Sequence, residues 1–467
     1  MIQKLVIVLI LTLLAISVRT VVSPNRLSRT PQVAAYSLPM DAPSEPVINP
    51  ASQPQRPAQQ LLNSVYLPLI ASNFCATEFV FNETIRYNLS NINANTAWHC
   101  FLGSGVIVAI IDTGVDLDHP DLQSNLVAGK TFVSGTTSPN DDDGHGTHVA
   151  GIVAAIGNNG GVIGVAPHAS IMPVKVLDST GSGTNFDVAD GIIWAVDQGA
   201  KVINLSLGST SNSSTLSSAI NYAYNNGAFI AAAAGNCGDS SYLANGCFTQ
   251  DEVQYPAALA NVMAVASVNQ FDSQSSFSNE GSYVEIAAPG SGIYSSYYGG
   301  GYDTISGTSQ ATPHVAGLAA LIWSQSPGLS NGQVRARIQT TAKDLGTSGR
   351  DSKYGYGLID VEAALSSSAT AVTTETQGVS APAGSGEAAA FVPGEVLIKV
   401  KSSDVSASAV IEKLDSPTGE IHVAATVPEL NVIKLAVPAG QEQAVLADLQ
   451  AEAEIEFAEL NYLVTKQ

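Results

Sequence analysis

Five short apolar runs in the middle of the chain constrain its fold more than any other feature. Segments with helical periodicity separate several of them. The runs lie at residues 106–111, 171–176, 202–207, 228–233 and 262–268, and the clearest helical segments at 187–198 and 213–226. Unbroken apolar runs of this length are typical of strands buried on both faces. Strands that alternate with helices form parallel sheets covered on both sides. The sequence therefore predicts an α/β domain over residues 86–366, with a parallel sheet and helices on both faces.

A second folded unit follows a change in composition. Residues 367–390 consist mostly of small and polar residues, a composition typical of flexible linkers. Residues 391–467 then predict strands and helices in the order βαββαβ, which is the ferredoxin-like arrangement. The predicted strands are 396–400, 421–426, 432–437 and 455–462, and the predicted helices are 406–414 and 442–452. We expect a small α+β domain here.

The amino-terminal residues indicate export. Lys4 precedes an apolar run, and Ala15 and Ser17 have the spacing of a signal-peptidase site, so residues 1–17 are interpreted as a signal peptide. The run is shorter than the roughly 20 residues of a membrane span, and an uncleaved anchor is the alternative. Residues 18–85 form a leader rich in Pro, Ser and Gln, with an amino-terminal extension. A secreted protein, free of the membrane after signal cleavage, is expected.

Charge and cysteine content narrow the classes of partner. The chain has 40 acidic and 19 basic residues, a formal net charge of −21. Nucleic acids and anionic membranes need a basic surface, so neither is an expected partner. An even number of cysteines in an exported chain predicts disulfides, and local spacing favours Cys75–Cys100 and Cys237–Cys247. Free buried thiols are the alternative.

The first candidate catalytic residue is Asp112, which directly follows the first apolar run in the sequence IDTG. Open parallel sheets place their sites beyond the carboxyl ends of their strands, so this carboxylate lies at the functional edge. A capping or turn aspartate is the alternative interpretation.

The second candidate lies in the segment HGTHVAG at residues 145–151. His145 and His148 are three residues apart and share one face of a predicted helix. The glycines beside His145 allow a substrate backbone to approach closely. We interpret His148 as a packing residue, because the sequence offers no further ligand cluster for a metal.

Ser309 is the third candidate, within GTSQATPHVAG at residues 307–317, where an apolar helix begins. Backbone N–H groups at a helix amino terminus can stabilise an oxyanion. A serine hydroxyl becomes a strong nucleophile only when a base takes its proton, and an aspartate can orient that base. An N-cap is the alternative role for Ser309. The chain order Asp112, His145, Ser309 is that of the subtilisins.

Together these three motifs resemble the subtilisin-like serine proteases, known as subtilases or peptidase family S8, over about residues 90–365. The resemblance implies a monomeric endopeptidase acting on proteins or peptides. Ser309 would attack to form an acyl-enzyme, which water activated by His145 would release. A catalytically silent relative that only binds, and a peptide ligase with the same triad, are the alternatives.

The resemblance also implies binding positions. The sequence AAAGN at residues 232–236 resembles the oxyanion-hole segment, which makes Asn236 the side-chain donor and the Ser309 N–H the second donor. Positions that would contact the substrate backbone are Ala234, Gly235, Ser206, Leu207 and Gly208.

A structural calcium ion is implied in the same way, because residues 151–167 resemble the calcium loop of the family. The implied ligands are the carboxylate of Asp121, the side-chain oxygen of Asn158 and the carbonyl oxygens of Ile156, Gly160 and Val162. Calcium binds six to eight oxygens in flexible geometry, which suits this mixed set. A turn that binds nothing is the alternative. The acidic triplet at residues 141–143 is interpreted as a solvated loop beside the cleft.

The carboxyl-terminal unit resembles a subtilase propeptide, both in PGEVLIKV at residues 393–400 and in EFAELNY at 456–462. In the family this module is a folding chaperone and inhibitor that precedes the protease, whereas here it follows it. We therefore expect a zymogen-like arrangement in which the module docks on its own protease with its end, Gln467, in the active-site cleft. A linker of this length allows docking within one chain. Docking between chains and a simple spacer role are the alternatives.

Overall fold

A seven-stranded parallel sheet lies at the centre of the larger domain in the computed structural model. The structure describes residues 83–98, 101–157, 160–239, 247–367, 390–403, 405–412 and 421–467. The seven strands are β1 Ile107–Asp112, β2 Lys130–Thr131, β3 Ser170–Lys175, β5 Val202–Leu205, β7 Phe229–Ala233, β8 Met263–Val268 and β9 Val284–Pro289. Their order in the sheet is β2-β3-β1-β5-β7-β8-β9, and every pairing is parallel. The predicted α/β fold is confirmed.

Helices cover both faces of this sheet. The longer ones are His145–Ala154, Asn185–Asp197, Ser214–Asn225, Thr308–Gln325 and Asn331–Thr341, and the short ones are Tyr87–Ser90, Ala94–Ala97 and Val361–Ser366. Helix Thr308–Gln325 is buried continuously from Thr308 to Trp323. A helix buried on all sides belongs to the interior of a large core, so Ser309 lies in the first turn of the central helix of the domain.

The larger domain contains strands that the apolar runs did not predict, and one predicted strand is divided. The run at 202–207 ends as strand β5 at Leu205, and Leu207–Gly208 forms a separate short strand, β6. Strand β9 was not predicted, because Glu285 and Pro289 interrupt its apolar pattern. The antiparallel hairpin of β10 (Ile293–Tyr297) and β11 (Gly301–Ile305) was also missed, since polar residues and tyrosines interrupt its apolar pattern.

Two helix amino termini near the cleft are fixed by their own sequence. Oγ1 of Thr184 accepts the N–H of Asp187 at 3.1 Å, which starts helix Asn185–Asp197. Ser213 caps helix Ser214–Asn225 in the same way, with Oγ accepting the N–H of Leu216 at 3.1 Å. Short polar side chains satisfy donors that have no partner inside the helix. The short strand β4, Ser182–Thr184, leads directly into the first of these helices.

The carboxyl-terminal domain has the predicted ferredoxin-like arrangement. Its strands are β12 Phe391–Val400, β13 His422–Val427, β14 Val432–Ala436 and β15 Ile455–Lys466, and its described helices are Ala407–Ile411 and Glu442–Ala451. The strands are antiparallel in the order β13-β14-β12-β15.

Both faces of this small sheet are buried. Val396 and Ile398 belong to the core beneath the domain's own helices, whereas Leu397 belongs to the core cluster of the larger domain. Alternate residues of a strand point to opposite faces. The sheet therefore packs its second face against the larger domain.

Strand β15 is longer than predicted because the larger domain supplies its partners. Leu463, Val464 and Thr465 pair antiparallel with β4, and Thr465 and Lys466 pair antiparallel with β6. The prediction ended at residue 462, where pairing within the small domain ends, since Phe391 pairs with Tyr462. Residues 463–467, called the tail below, thus form the middle strand between two strands of the larger domain.

Cys237 and Cys247 form the predicted disulfide, with Cα atoms 5.7 Å apart. The predicted signal peptide, most of the leader, Cys75, Cys100 and most of the linker lie outside the described residues. Within the part of the chain that the structure describes, no helix combines the length and the apolar character needed to cross a bilayer.

Candidate active site

Asp112 and His145 meet at the carboxyl edge of the parallel sheet. Asp112 is the last residue of β1 and His145 the first residue of its helix, and Oδ1 of Asp112 lies 2.7 Å from Nδ1 of His145. Asp112 is completely buried and His145 is 6% exposed. The same oxygen of Asp112 accepts the N–H of Thr113 at 2.7 Å. A buried carboxylate fixed in this way holds the imidazole in one orientation.

The protonation of His145 reflects a competition between burial and charge. Burial lowers the pKa of His145, but the charge and hydrogen bond of Asp112 outweigh it, so the pKa lies above its usual value. Lys466 lowers the pKa of His145 and Asp143 raises it, both through their charges. The carboxyl-terminal domain therefore acts directly on the electrostatics of this histidine.

Ser309 is held by a reciprocal contact with Ser206. Pro313 has no N–H to bond to the carbonyl of Ser309 four residues earlier, and the hydroxyl of Ser206 donates to that carbonyl at 2.8 Å instead. The hydroxyl of Ser309 in turn donates to the carbonyl of Ser206 at 2.8 Å. Oγ of Ser309 also accepts the backbone N–H of Gln467 at 3.1 Å. Among the described residues, Nε2 of His145 has no hydrogen-bond partner.

Asn236 is oriented by Thr308. The backbone N–H and the hydroxyl of Thr308 both donate to Oδ1 of Asn236, at 2.9 and 3.0 Å, which directs the Nδ2 amide to the other side. A Cβ placed on Gly307 would lie 3.3 Å from this Nδ2 and 3.0 Å from the backbone oxygen of Gln467. Because Gly307 has no side chain, the amide of Asn236 and the backbone oxygen of Gln467 both fit into the space beside it.

The residues predicted to contact substrate separate into two groups. Leu207 pairs with Lys466 and Gly208 with Thr465, while the carbonyl of Ser206 accepts the N–H of Gln467 at 3.3 Å. Ser206, Leu207 and Gly208 therefore line the cleft against the tail.

The other group faces the interior. Ala234 donates its N–H to Val265 and accepts the hydroxyl of Tyr283. Gly235 has a φ of +114°, in the region that favours glycine, and a Cβ there would come 2.5 Å from Gln254. These two residues shape the turn that presents Asn236 to the cleft.

The prediction of a solvated loop at residues 141–143 is wrong for Asp141, whereas Asp142 is exposed. Asp141 is buried and accepts hydrogen bonds from Thr113, Gly144 and Thr147, because it stabilises the start of the histidine helix. Its carboxylate fixes the backbone on either side of His145.

The other two aspartates of the triplet are in ion pairs. Oδ1 of Asp142 lies 2.6 Å from Nζ of the buried Lys175, and Asp143 pairs with Lys466. Lys175 also donates to the carbonyls of Thr113 and Leu177. This role of Lys175 was not predicted, because the sequence shows only a lysine near the end of an apolar run. The packing of His148 is as predicted: it is fully buried, with Nε2 3.0 Å from the carbonyl of Ile293.

Asp121 lies buried against the loop that was predicted to bind calcium. The loop is closed by pairing of Ile156 with Ile163, and the N–H of Ile156 donates to the carbonyl of Asp121 at 3.0 Å. Oδ2 of Asp121 accepts the N–H of Val162 at 2.9 Å and the hydroxyl of Tyr302 at 3.0 Å.

Asn158 lies outside the described residues, and Gly160 is exposed. No cluster of three or more histidine, cysteine or carboxylate side chains suited to a metal occurs in the described ranges. A metal here would depend on one carboxylate and several carbonyl oxygens, which is a set that fits calcium.

Two further residues anchor the carboxyl-terminal domain beside the cleft and were not predicted. Glu459 accepts the hydroxyl of Ser213 and the N–H groups of Ser214 and Thr215, at 2.7, 2.7 and 2.9 Å. Asn461, fully buried, accepts the N–H of Phe186 at 3.2 Å. Both side chains satisfy donors at helix amino termini. The sequence contained one indication of the Glu459 contact. Helix Ser214–Asn225 has no acidic residue in its own first turn, so its amino terminus can accept a carboxylate from elsewhere in the chain.

Comparison with known proteins decides the family. The profile of the subtilase family matches residues 103–357, which is more than half of the chain. The chain belongs to the subtilase family. It is 49% identical over 265 residues to thermitase of Thermoactinomyces vulgaris, covering 56% of this chain and 90% of thermitase. It is 46% identical over 283 residues to subtilisin DY of Bacillus licheniformis, covering 60% of this chain and 99% of that protein.

A second match concerns the carboxyl-terminal part of this subtilase. The profile of the fervidolysin N-terminal prodomain matches residues 377–461. A region similar to an amino-terminal prodomain therefore follows the protease domain in this chain, as the sequence motifs indicated. The tail, residues 463–467, extends beyond this match.

Proposed function

We propose that this subtilase is an endopeptidase in which Ser309 attacks the scissile carbonyl, His145 accepts its proton and Asp112 orients the imidazole. The observation that carries this proposal is the 2.7 Å contact between Asp112 and His145, beside the helix whose first turn contains Ser309. For catalysis the Ser309 hydroxyl turns from the carbonyl of Ser206 towards Nε2 of His145. That rotation breaks one hydrogen bond and supplies the partner that Nε2 needs.

The oxyanion of the tetrahedral intermediate is assigned to Asn236 and the Ser309 N–H. Thr308 fixes the Asn236 amide, so this donor is oriented before substrate arrives. Ser309 is the second residue of its helix, where backbone N–H groups lack partners inside the helix. Both donors then face the charge that develops on the carbonyl oxygen.

The prodomain-like domain is proposed to be an intramolecular inhibitor and folding aid of the protease. The tail pairs with β4 on one side and β6 on the other, in the manner of an extended peptide substrate. Glu459 and Asn461 hold the strand that leads into the tail. Release of the tail frees both Oγ of Ser309 and the strands that a substrate would use. A monomer is sufficient for this arrangement.

Calcium is proposed as a structural ion bound by Asp121 and the neighbouring loop, including the carbonyl oxygens of Ile156, Gly160 and Val162. When bound, it would supply positive charge beside the buried Asp121 carboxylate and stabilise the loop. A chelator is then expected to lower the melting temperature of the wild type but not of Asp121→Asn. An equal loss in both proteins would contradict the assignment.

Export to the extracellular medium is proposed from the amino-terminal pattern and supported by the Cys237–Cys247 disulfide. Domain boundaries at residues 86–366 for the protease and 391–467 for the prodomain-like domain are proposed from the alternation of strands and helices and from the linker composition between them. Amino-terminal sequencing of the protein recovered from the medium tests the proposed export. A secreted product that begins with Met1 would contradict the proposed signal cleavage.

Hydrolysis of casein by the wild type and by Ser309→Ala tests the catalytic assignment. We expect release of acid-soluble peptides by the wild type only. Equal hydrolysis by both proteins would remove Ser309 from the mechanism. Peptide-bond formation would be detected in the same assay by adding an amine nucleophile and following product masses, which separates a ligase from a hydrolase.

A further inference from the structure

The tail lies in the cleft with a defined register. The backbone N–H of Gln467 lies 3.1 Å from Oγ of Ser309, so Gln467 stands where the residue that is acylated would stand. Lys466 is then the second residue on the amino side of the reacting carbonyl. Lys466 pairs with Leu207 of β6 and donates its N–H to the carbonyl of Gly181 at 3.0 Å, which fixes its backbone in the cleft.

Lys466 meets a site made of two separate segments of the protease domain. Its Nζ lies 2.7 Å from Oδ1 and 2.5 Å from Oδ2 of Asp143. Its aliphatic stem passes over Gly181, where an added Cβ would lie 2.5 Å from Cδ and 2.6 Å from Cε of Lys466. The cleft thus has room for a long stem and a carboxylate at its far end.

Asp143 is also held by contacts within its own domain. Its Oδ1 accepts the N–H of His145 at 3.1 Å, and its carbonyl accepts the hydroxyl of Tyr297 at 3.1 Å. The side chain of Asp143 is only 11% exposed with the tail in place. Asp142 is paired with Lys175, so of these two neighbouring aspartates it is Asp143 whose charge faces the tail.

We propose that Asp143 makes this subtilase select substrates with lysine or arginine as the second residue on the amino side of the scissile bond. The inference rests on the proposed function, since it takes the tail to lie as a substrate does. A hydrogen-bonded ammonium–carboxylate pair is stronger than a neutral hydrogen bond, although partial exposure reduces its contribution. An apolar side chain of similar length would leave the carboxylate partly desolvated and without a cation. A preference of about fivefold to tenfold is expected.

The test is a competition between two peptides in one mixture with the full chain. One peptide continues the tail sequence as Leu-Val-Thr-Lys-Gln-Ala-Ser, and the other has Met in place of Lys. Both peptides compete for the same free enzyme, so the ratio of their kcat/KM values does not depend on how many clefts the tail occupies. Mass spectrometry of the products gives this ratio for the wild type, for Asp143→Asn and for the matched control Asp142→Asn.

Cleavage after Gln with a preference of about fivefold to tenfold for the Lys peptide is expected in the wild type and in Asp142→Asn. In Asp143→Asn the ratio should fall close to one. A wild-type ratio near one, or a preference that persists in Asp143→Asn, would overturn the specificity alone. Cleavage of the peptides that persists in Ser309→Ala would overturn the proposed function and the specificity together.

Discussion

The backbone N–H of Gln467 lies 3.1 Å from Oγ of Ser309, although 158 residues separate them in the sequence. The contact ends a strand that begins in the carboxyl-terminal domain and continues between two strands of the protease domain. The nucleophile proposed for catalysis is therefore in contact with a segment of its own chain. Its hydroxyl is directed to the carbonyl of Ser206, at 2.8 Å, rather than to the histidine.

Asn236→Leu is expected to lower kcat by about 100- to 1000-fold with a small effect on KM, because an oxyanion donor acts mainly in the transition state. Thr308→Val, which removes one of the two bonds that orient Asn236 but keeps the backbone donor, should cause a smaller loss. Steady-state hydrolysis of a chromogenic peptide measures both. Equal losses in the two variants, or a loss confined to KM, would contradict the role of Asn236.

Glu459→Gln is expected to raise the residual protease activity of the full chain about tenfold. The variant replaces charge-assisted bonds to the start of helix Ser214–Asn225 with weaker neutral ones, which favours release of the tail. Glu456→Gln is a matched control, because Glu456 pairs with Lys399 inside the carboxyl-terminal domain. Initial rates of casein hydrolysis distinguish them. If both variants behave like the wild type, Glu459 does not anchor the tail.

Cleavage should increase as the pH rises through the raised pKa of His145, since only the neutral imidazole accepts the serine proton. The negative charge of Asp143 raises this pKa, so Asp143→Asn should move the acid limb of the kcat/KM profile to lower pH. The Met-containing peptide is the substrate here, because its binding does not depend on the charge of Asp143. A shift to higher pH would contradict the electrostatic role of Asp143.

Acidification should destabilise the protease domain through two buried histidines. Burial lowers the pKa of His148 and of His314 to about 4. Each histidine is neutral in the folded protein but takes up a proton in the unfolded chain below about pH 6.5. The full free energy of unfolding is therefore present above that pH. It is lost as the pH falls towards about 4, by about 3 kcal/mol at most for each histidine. Urea unfolding of Ser309→Ala between these pH values measures the loss, and a constant free energy of unfolding would contradict it.

The sheet and the candidate catalytic residues were predictable because they depend on local patterns. Buried parallel strands appear as unbroken apolar runs, and Asp112, His145 and Ser309 each lie in a short motif at the end of a strand or the start of a helix. The role proposed for Asn236 followed only from the resemblance of its segment to a known one. Its orientation by Thr308 depends on residues 72 positions apart, which no local pattern reveals.

The contacts between the domains were harder to predict for the same reason. Lys175, Glu459 and the pairing of Asp143 with Lys466 join segments that are distant in the sequence. The sequence did contain one indication of the domain contact, because β12 has three consecutive apolar residues. A strand in a sheet with one solvated face would instead alternate apolar and polar residues. Leu397, which faces the protease domain, indicates that the second face of the small sheet is covered.

Covalent labelling of Ser309 by a fluorophosphonate reagent tests the central claim most directly. The rate is compared between the full chain and the same chain lacking residues 463–467, with Ser309→Ala as the unlabelled control. We predict labelling at least about tenfold faster without the tail, because the reagent needs the same space and the same oxyanion donors as Gln467. Equal labelling rates would show that the tail does not occupy the active site in solution, and would contradict the account.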